Sequence, residues 1–358
     1  MNSAEWSAPL NGTAVLATDY TDRDELTLRL YALGKQRQWD ADRRLDWQIE
    51  VDPDNPMGMP DSVIWIAESP LWDRLPEPER VVLRRHTAAW NTSQLLHGEQ
   101  LGLIAVAKVA QTVPDVDSKL FAATQAMDEA RHSEVFDRFL RTKIGLQYPL
   151  TGSLSTIFGD IVRDSRWDLS ALAVQVMVEN IAMAAFTLQR DQSTDPLTRA
   201  LTTYIMQDEA RHVAFGRILL RHYYRDLTAA ERAEREEFVV EASWALREGF
   251  VGEEIWHTLD YGAAECIAVA RSSPALRQYR RRLFMRIVPA LKDIGLFGPP
   301  VREALGKMGV LGFADLADDA LEELDDRTLS EMDSREREER REEIETTIAL
   351  GADEQVTP

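Results

Sequence analysis

Asp128-Glu-Ala-Arg-His132 and Asp208-Glu-Ala-Arg-His212 are the same pentapeptide, 80 residues apart, and thirty residues before the glutamate of each stands a further glutamate, Glu99 and Glu179. The midpoint between Glu99 and Glu129 is Pro114, and that between Glu179 and Glu209 is Thr194, beside Asp195-Pro196. Proline there fits one helix ending and another starting, since it cannot donate the next backbone hydrogen bond. Each half therefore reads as an antiparallel helical hairpin, in which about thirteen residues up and as many back return the chain to one height. Within each pentapeptide, Glu and His at i and i+3 share a helical face. Two such hairpins packed together converge Glu99, Glu129, His132, Glu179, Glu209 and His212.

One glutamate from each of two helices and a Glu-x-x-His from each of two more is the ligand set of a di-metal site in a four-helix bundle. Carboxylates bridge hard cations, while imidazoles take terminal positions. Iron is favoured over zinc, because the donors are oxygen-rich, include no thiolate and leave room above four-coordination; a manganese–iron pair fits the same ligands. A lone Glu-x-x-His carries little weight, and the chain holds such a control in Glu254-Ile-Trp-His257, which has no matching partner and reads as a surface pair or a core histidine. Asp128 and Asp208, one residue before the ligand glutamates, are placed to accept the free ring N–H of a histidine from the opposite hairpin. Arg131 and Arg211, three residues further on, would balance their charge; the competing reading is an exposed Asp–Arg pair of small worth.

The rest of the chain is helical in pattern and shows no strand-like alternation, so the expected fold is all-α: a four-helix bundle with additional helices. Apolar periodicity predicts helices over 21–48, 77–112, 116–142, 170–191, 197–225, 228–258, 262–271 and 274–294. Pro53, Pro56, Gly58 and Pro60 mark a loop, and Thr228 with Glu231 suits a capping box. Three regions follow: residues 1–76, an N-terminal helix and loop packing on the bundle; 77–294, the di-metal helical domain; and 295–358, an acidic extension whose Glu- and Arg-dense stretch 334–347 reads as a solvated helix or frayed tail.

Composition excludes several classes. A net charge of −20 argues against a nucleic-acid partner. A single cysteine, Cys266, excludes an intramolecular disulfide framework, a cysteine zinc cluster or an iron–sulfur centre. Electrons must then come from another protein, a ferredoxin or reductase. No run approaches the roughly 18 consecutive apolar residues of a membrane span, and no basic start followed by an apolar run marks a secretory signal, so the expected location is the cytoplasm. Helical faces outside the bundle make a homodimer the expected assembly.

With these residues the chain resembles the ferritin-like di-iron carboxylate proteins over about residues 80–225. The Asp-Glu-x-Arg-His form in both halves is similar to the hydroxylase subunits of soluble methane and toluene monooxygenases and to ribonucleotide reductase small subunits. Leu30-Tyr-Ala-Leu-Gly-Lys-Gln-Arg-Gln-Trp-Asp40 is similar to ferritin-like oxygenases related to the aminobenzoate N-oxygenases. The resemblance implies that Glu99, Glu129 and His132 serve one iron and Glu179, Glu209 and His212 the other, with Glu129 and Glu209 bridging. Three positions depart. Phe136 stands where radical-generating reductase subunits have a tyrosine, Ile205 where the N-oxygenases add a third histidine, and Met183 where the methane and toluene hydroxylases place a threonine.

The expected activity is dioxygen-dependent oxidation of a small organic substrate by a non-haem di-iron enzyme, as a monooxygenase, N-oxygenase or oxidase. Phe136, Met183, Ala184, Phe186 and Ile205 are candidate pocket residues by helical proximity to the ligands, against a reading as plain core. Two other functions use the same ligands: a radical-generating subunit resembling that of ribonucleotide reductase, and ferritin-type iron oxidation and storage.

Overall fold

In the computed structural model, which describes residues 6–18, 20–21, 23–259 and 261–316, every regular element is helical. Helix α1 (Glu25–Gln36) and one turn, α2 (Ala41–Arg44), precede a loop with a 3-10 turn at Asp61–Val63 and a short α3 (Pro70–Asp73). The first hairpin is α4 (Glu77–Thr112) and α5 (Val116–Phe139), which runs on into a π turn, Leu140–Ile144. After α6 (Gly152–Arg163) comes a continuous helical stretch: α7 (Trp167–Ala171), a π segment Leu172–Val178, and α8 (Glu179–Gln192). With α9 (Pro196–Tyr224) it forms the second hairpin. Helices α10 (Ala229–Glu248), α11 (Glu253–Leu259), α12 (Ala263–Ser272), α13 (Pro274–Asp293) and α14 (Pro299–Lys307) follow, and a 3-10 turn at Leu311–Asp315 ends the described chain. This is a ferritin-like bundle of α4, α5, α8 and α9 with additional helices around it.

The hairpin turns are built as capped restarts. Asp115 accepts from Ser118 N at the start of α5, and Asp195 accepts from Thr198 N at the start of α9, where Pro196 takes the first position and needs no donor. Thr228 and Glu231 form a reciprocal capping box on α10. Extensive apolar burial holds the bundle together: Val106, Val109, Ala122 and Val174 on one side, and Leu83, Phe139, Phe186 and Leu197 on the other, are sealed from solvent.

The helix over 21–48 is interrupted. It ends at Gln36 with Arg37 as its C-cap, and Gln38 and Trp39 lie outside any helix before Asp40, itself extended, caps α2. The helix over 228–258 also breaks, because Phe250 and Gly252 adopt left-handed φ of 69° and 70° between α10 and α11. Helix α6 has no counterpart in the sequence reading; Phe158, Ile161 and Val162 are buried on it. Trp167–Gln192 is the one described helix long and apolar enough to cross a membrane, and 78% of its most apolar window is buried within the molecule, as befits a core helix. The acidic stretch 334–347 lies outside the described residues.

Candidate metal centre

Glu99 and Glu179 sit thirteen residues before the ends of α4 and α8, while Glu129 and Glu209 sit thirteen residues into α5 and α9. At 1.5 Å per residue each pair lies about 20 Å from its hairpin turn. All six side chains meet in the interior. One atom each from Glu99, Glu129, His132 and Glu209 fall within 4.8 Å of one another, as do one each from Glu129, Glu179, Glu209 and His212. Glu129 and Glu209 belong to both groups, the position a bridging carboxylate needs. The six are at most 7% exposed.

Both imidazoles face the cluster through Nδ1. His132 Nδ1 lies 3.2 Å from Glu99 Oε2 and 3.1 Å from Glu209 Oε1; His212 Nδ1 lies 3.2 Å from Glu209 Oε2 and 3.4 Å from Glu129 Oε1. The Nε2 atoms point outward to aspartates of the other hairpin. His132 Nε2 is 3.1 Å from Asp208 Oδ2, and His212 Nε2 is 3.2 Å from Asp128 Oδ2. A proton held at Nε2 by these carboxylates leaves the Nδ1 lone pair free for a metal.

Around this pair of crossed contacts runs a buried ring of charges. Arg131 donates to Asp128 and, at 2.7 Å, to Asp208; Arg211 donates to Asp208 and, at 3.2 Å, to Asp128. Two cations and two anions cancel, so the ring surrounds the cluster without adding net charge. The non-helical residues after α1 close it. Gln38 donates to Asp128 at 2.7 Å and accepts from Arg131 at 2.6 Å, and Trp39 Nε1 donates to Asp208 at 2.8 Å while its ring lies under the Arg131 guanidinium. The pattern of the repeat gave no sign of Gln38 and Trp39, which lie about ninety residues before the first pentapeptide.

The donor set fits a pair of divalent metal ions. Four carboxylates gathered in a dry interior repel one another, and two divalent cations would neutralise them. Without metal, burial drives the Glu99 and Glu179 carboxyls well above the usual carboxylate range. Burial opposes protonation of His212, yet Glu209, Asp128 and Glu129 hold its pKa up to about 10. Glu209 Oε1, although 3.1 Å from His132 Nδ1, makes no aligned hydrogen bond among the described residues, as suits an oxygen available to a metal ion. The oxygen-rich, thiolate-free set suits iron or manganese.

Two glutamines join the cluster from one turn before a ligand. Gln125 Nε2 lies 3.2 Å from Glu129 Oε1 and 3.1 Å from Glu179 Oε1, and Gln175 Nε2 lies 3.4 Å from Gln125 Oε1. Gln175 is the one polar residue in the apolar run Leu172–Val178, a mark available in the sequence. By contrast, Glu254 of the third Glu-x-x-His accepts from Trp90 Nε1 at 2.8 Å, and His257 is exposed. That copy takes no part in the cluster.

Phe136, Met183, Phe186 and Ile205 are buried in the core, with Phe136 and Phe186 stacked at 6.0 Å, and Ala184 is buried among apolar neighbours on the other side of the bundle. None of the five lines the cavity between α4 and α8, since apolar side chains one turn from a ligand fill the space between helices. That cavity, of about 200 Å³, lies between α4, α8, α13 and the loop 55–65. Asn91 on α4 and Gln189 on α8 line it among apolar neighbours such as Met57 and Leu188, and Gln189 Oε1 is buried without a hydrogen-bond partner among the described residues.

The model of the family described as P-aminobenzoate N-oxygenase AurF matches residues 20–295. No curated protein matches the chain. Among solved structures, a variant of an R2-like ligand-binding oxidase with an anaerobically reconstituted Mn/Fe cofactor is 17% identical, the match covering 77% of this chain and 96% of that one at a TM-score of 0.46. Streptococcus sanguinis dimanganese(II)-NrdF is 11% identical, with 83% and 99% covered and a TM-score of 0.47. The family match takes in both hairpins, all six clustered ligand-type side chains and the Gln38–Trp39 segment, and the chain belongs to the P-aminobenzoate N-oxygenase AurF family, among the ferritin-like non-haem di-iron oxygenases and oxidases.

Proposed function

We propose that this enzyme uses dioxygen to oxygenate a small amphipathic organic molecule, seated in the cavity between α4 and α8, at a metal pair held by Glu99, Glu129, His132, Glu179, Glu209 and His212. The observation that carries this reading is the placement of the cavity on the two helices that bear Glu99 and Glu179. Asn91 lies eight residues before Glu99, and Ala185 six residues after Glu179. These separations are about 12 and 9 Å along the helices.

Two irons held by Glu99, Glu129, His132, Glu179, Glu209 and His212 would supply the redox chemistry of dioxygen activation. The chain supplies the rest. Asp128 and Asp208 fix the histidine tautomers, and the sealed apolar core keeps bulk water from the centre. The unpaired Gln189 carbonyl accepts a substrate N–H or O–H, and the apolar walls take a ring or chain. Electrons come from a separate ferredoxin or reductase, in keeping with the single cysteine. The family description names an aryl amine, p-aminobenzoate, so N-oxygenation of aryl amines is the reaction to test first. Ile205, at the place of a third histidine in those enzymes, separates this chain from them and leaves the substrate a wider class than p-aminobenzoate.

The test is anaerobic loading with Fe(II), followed by exposure to labelled dioxygen with a panel of aryl amines and a generic reductase. Oxygen uptake with label in the product is expected. Gln189→Leu should raise KM by about 10-fold, the worth of one hydrogen bond, with little change in kcat. Protein that retains only zinc and consumes no oxygen would sink the proposal.

A further inference from the structure

The residues one turn before the four ligand-type glutamates are Leu95, Gln125, Gln175 and Ile205. Two are apolar and two are amides. The 80-residue repeat pairs Gln125 with Ile205 and Leu95 with Gln175, so each hairpin has one of each and the amides occupy non-equivalent places. Their contacts single out one group. Gln125 spends its amide on Glu129, which both groups share, and on Glu179, which belongs only to the group with His212, and Gln175 holds the Gln125 carbonyl. Glu99, in the other group, is met by His132 alone among the described residues, with Ile205 and Leu95 at the corresponding positions. Both glutamines are fully buried.

From this arrangement we infer that Gln125 is a positioning residue that makes the two metal positions unequal, preparing the one formed by Glu129, Glu179, Glu209 and His212 to fill first. The inference rests on the metal-centre reading above. One buried amide bridging two carboxyl groups fixes their separation before a metal arrives, and its hydrogen bonds gain strength in the dry interior. The carboxylates then need less rearrangement to bind. Glu99 lacks that support and must reorient as its ion enters. Gln175, standing on the π segment, donates to the Gln125 carbonyl and keeps the Gln125 amide from turning, while its own Oε1 has no hydrogen-bond partner among the described residues.

The experiment is a titration of the metal-free, full-length protein with Co(II), followed by calorimetry and by the visible absorption of each bound ion. The wild type is expected to bind in two resolved steps. Gln125→Leu, close in volume and without donors, should weaken the tighter step by about 10–100-fold, the usual cost of removing an outer partner of a ligand, and leave the weaker step within a few-fold. The absorption bands of the first ion should shift with it. Gln175→Leu, which touches no ligand directly, should weaken the same step by less, and it carries the test if Gln125→Leu does not melt cooperatively. Two equal steps in the wild type, or equal weakening of both in the variants, would overturn the inference while leaving the metal centre standing. Failure of the wild type to bind two ions would overturn both.

Discussion

The two hairpins supply the same ligands from the same sequence positions but on different backbones. In the first, α4 is α-helical through the turns before Glu99; in the second, the corresponding turns, Leu172–Val178, are π-helical and end at Glu179. A π turn is wider than an α turn and is commonly found at functional sites. Here it presents Gln175 to Gln125, and the close approach is accommodated by Gly216 on α9, where an added Cβ would lie 2.3 Å from the Gln175 Cβ. The position equivalent to Gly216 in the first hairpin is Phe136, packed on Phe186. The repeat thus delivers near-symmetric ligands, and the departures from it decide how the two metal positions differ.

The largest expected effect tests the symmetric part. Replacing Glu129 or Glu209 with alanine removes a carboxylate common to both groups, and metal analysis should find less than one ion per chain with oxygen uptake abolished. His257→Ala, in the third Glu-x-x-His, should leave metal content and uptake unchanged. Because Glu209 and Glu129 hold the buried His212 imidazole protonated in the metal-free protein, losing either also lowers its melting midpoint, and metal content is compared on protein that still melts cooperatively. Equal metal loss in His257→Ala would break the distinction between the repeated motif and the stray one.

Much of this was legible in the sequence, because hairpin geometry is a matter of counting. Pro114 and Pro196 fixed the turns, and i, i+3 spacing fixed which side chains share a face. The crossed histidine–aspartate contacts lie where a carboxylate one residue from the ligand points to a neighbouring face. The π segment was not legible. Leu-Ala-Val-Gln-Val-Met-Val has the apolar continuity of any buried helix, and one extra residue per turn leaves no mark on composition. Gln38 and Trp39 were hidden for another reason. They serve the ring only where the chain leaves helical geometry after Arg37, whereas apolar periodicity ran on through them. The cavity escaped because its walls come from a loop and from helical turns beyond those next to the ligands.

A second prediction sets one glycine of each hairpin against the other. Gly216→Ala drives a methyl against Gln175 side chain and backbone, and overpacking of this kind costs about 1–3 kcal/mol. Gly102→Ala on α4 meets only the Glu129 carboxyl group, with Oε2 at 3.5 Å and Cδ at 3.6 Å, ordinary contacts. Since alanine is favoured over glycine inside a helix by about 1 kcal/mol, this change should leave stability level or raised. Denaturant titration of the metal-free proteins separates the two signs. A loss at Gly102 as large as that at Gly216 would mean that the close approach is not peculiar to the π-bearing half.

The smallest effect concerns how the loop over the cavity is tied to each hairpin. On the second it is held by neutral groups, with Thr194 N donating to Gly58 O at 2.9 Å and Ser193 Oγ to Met57 O at 2.6 Å. On the first it is held by charge, with Arg84 Nε donating to Asp61 Oδ1 at 2.6 Å and Nη2 to Oδ2 at 2.9 Å. The Arg84 guanidinium lowers the Asp61 pKa against the opposing effect of burial. A carboxyl depressed in the folded state contributes stability above its unfolded pKa of about 4, and that contribution is lost as pH falls through the folded value. Because Asp61 is about one-third exposed, solvent screening limits the pair to about 0.5–1 kcal/mol. Asp61→Asn should therefore melt slightly below the wild type at pH 7, with the gap closing in acid below about pH 4 and narrowing in high salt. Ser193→Ala should open a gap that neither acid nor salt closes, because no titrating group takes part in that tie. If both gaps followed pH alike, the loop would be bound to the two hairpins in the same way, and the electrostatic side of the contrast would fall.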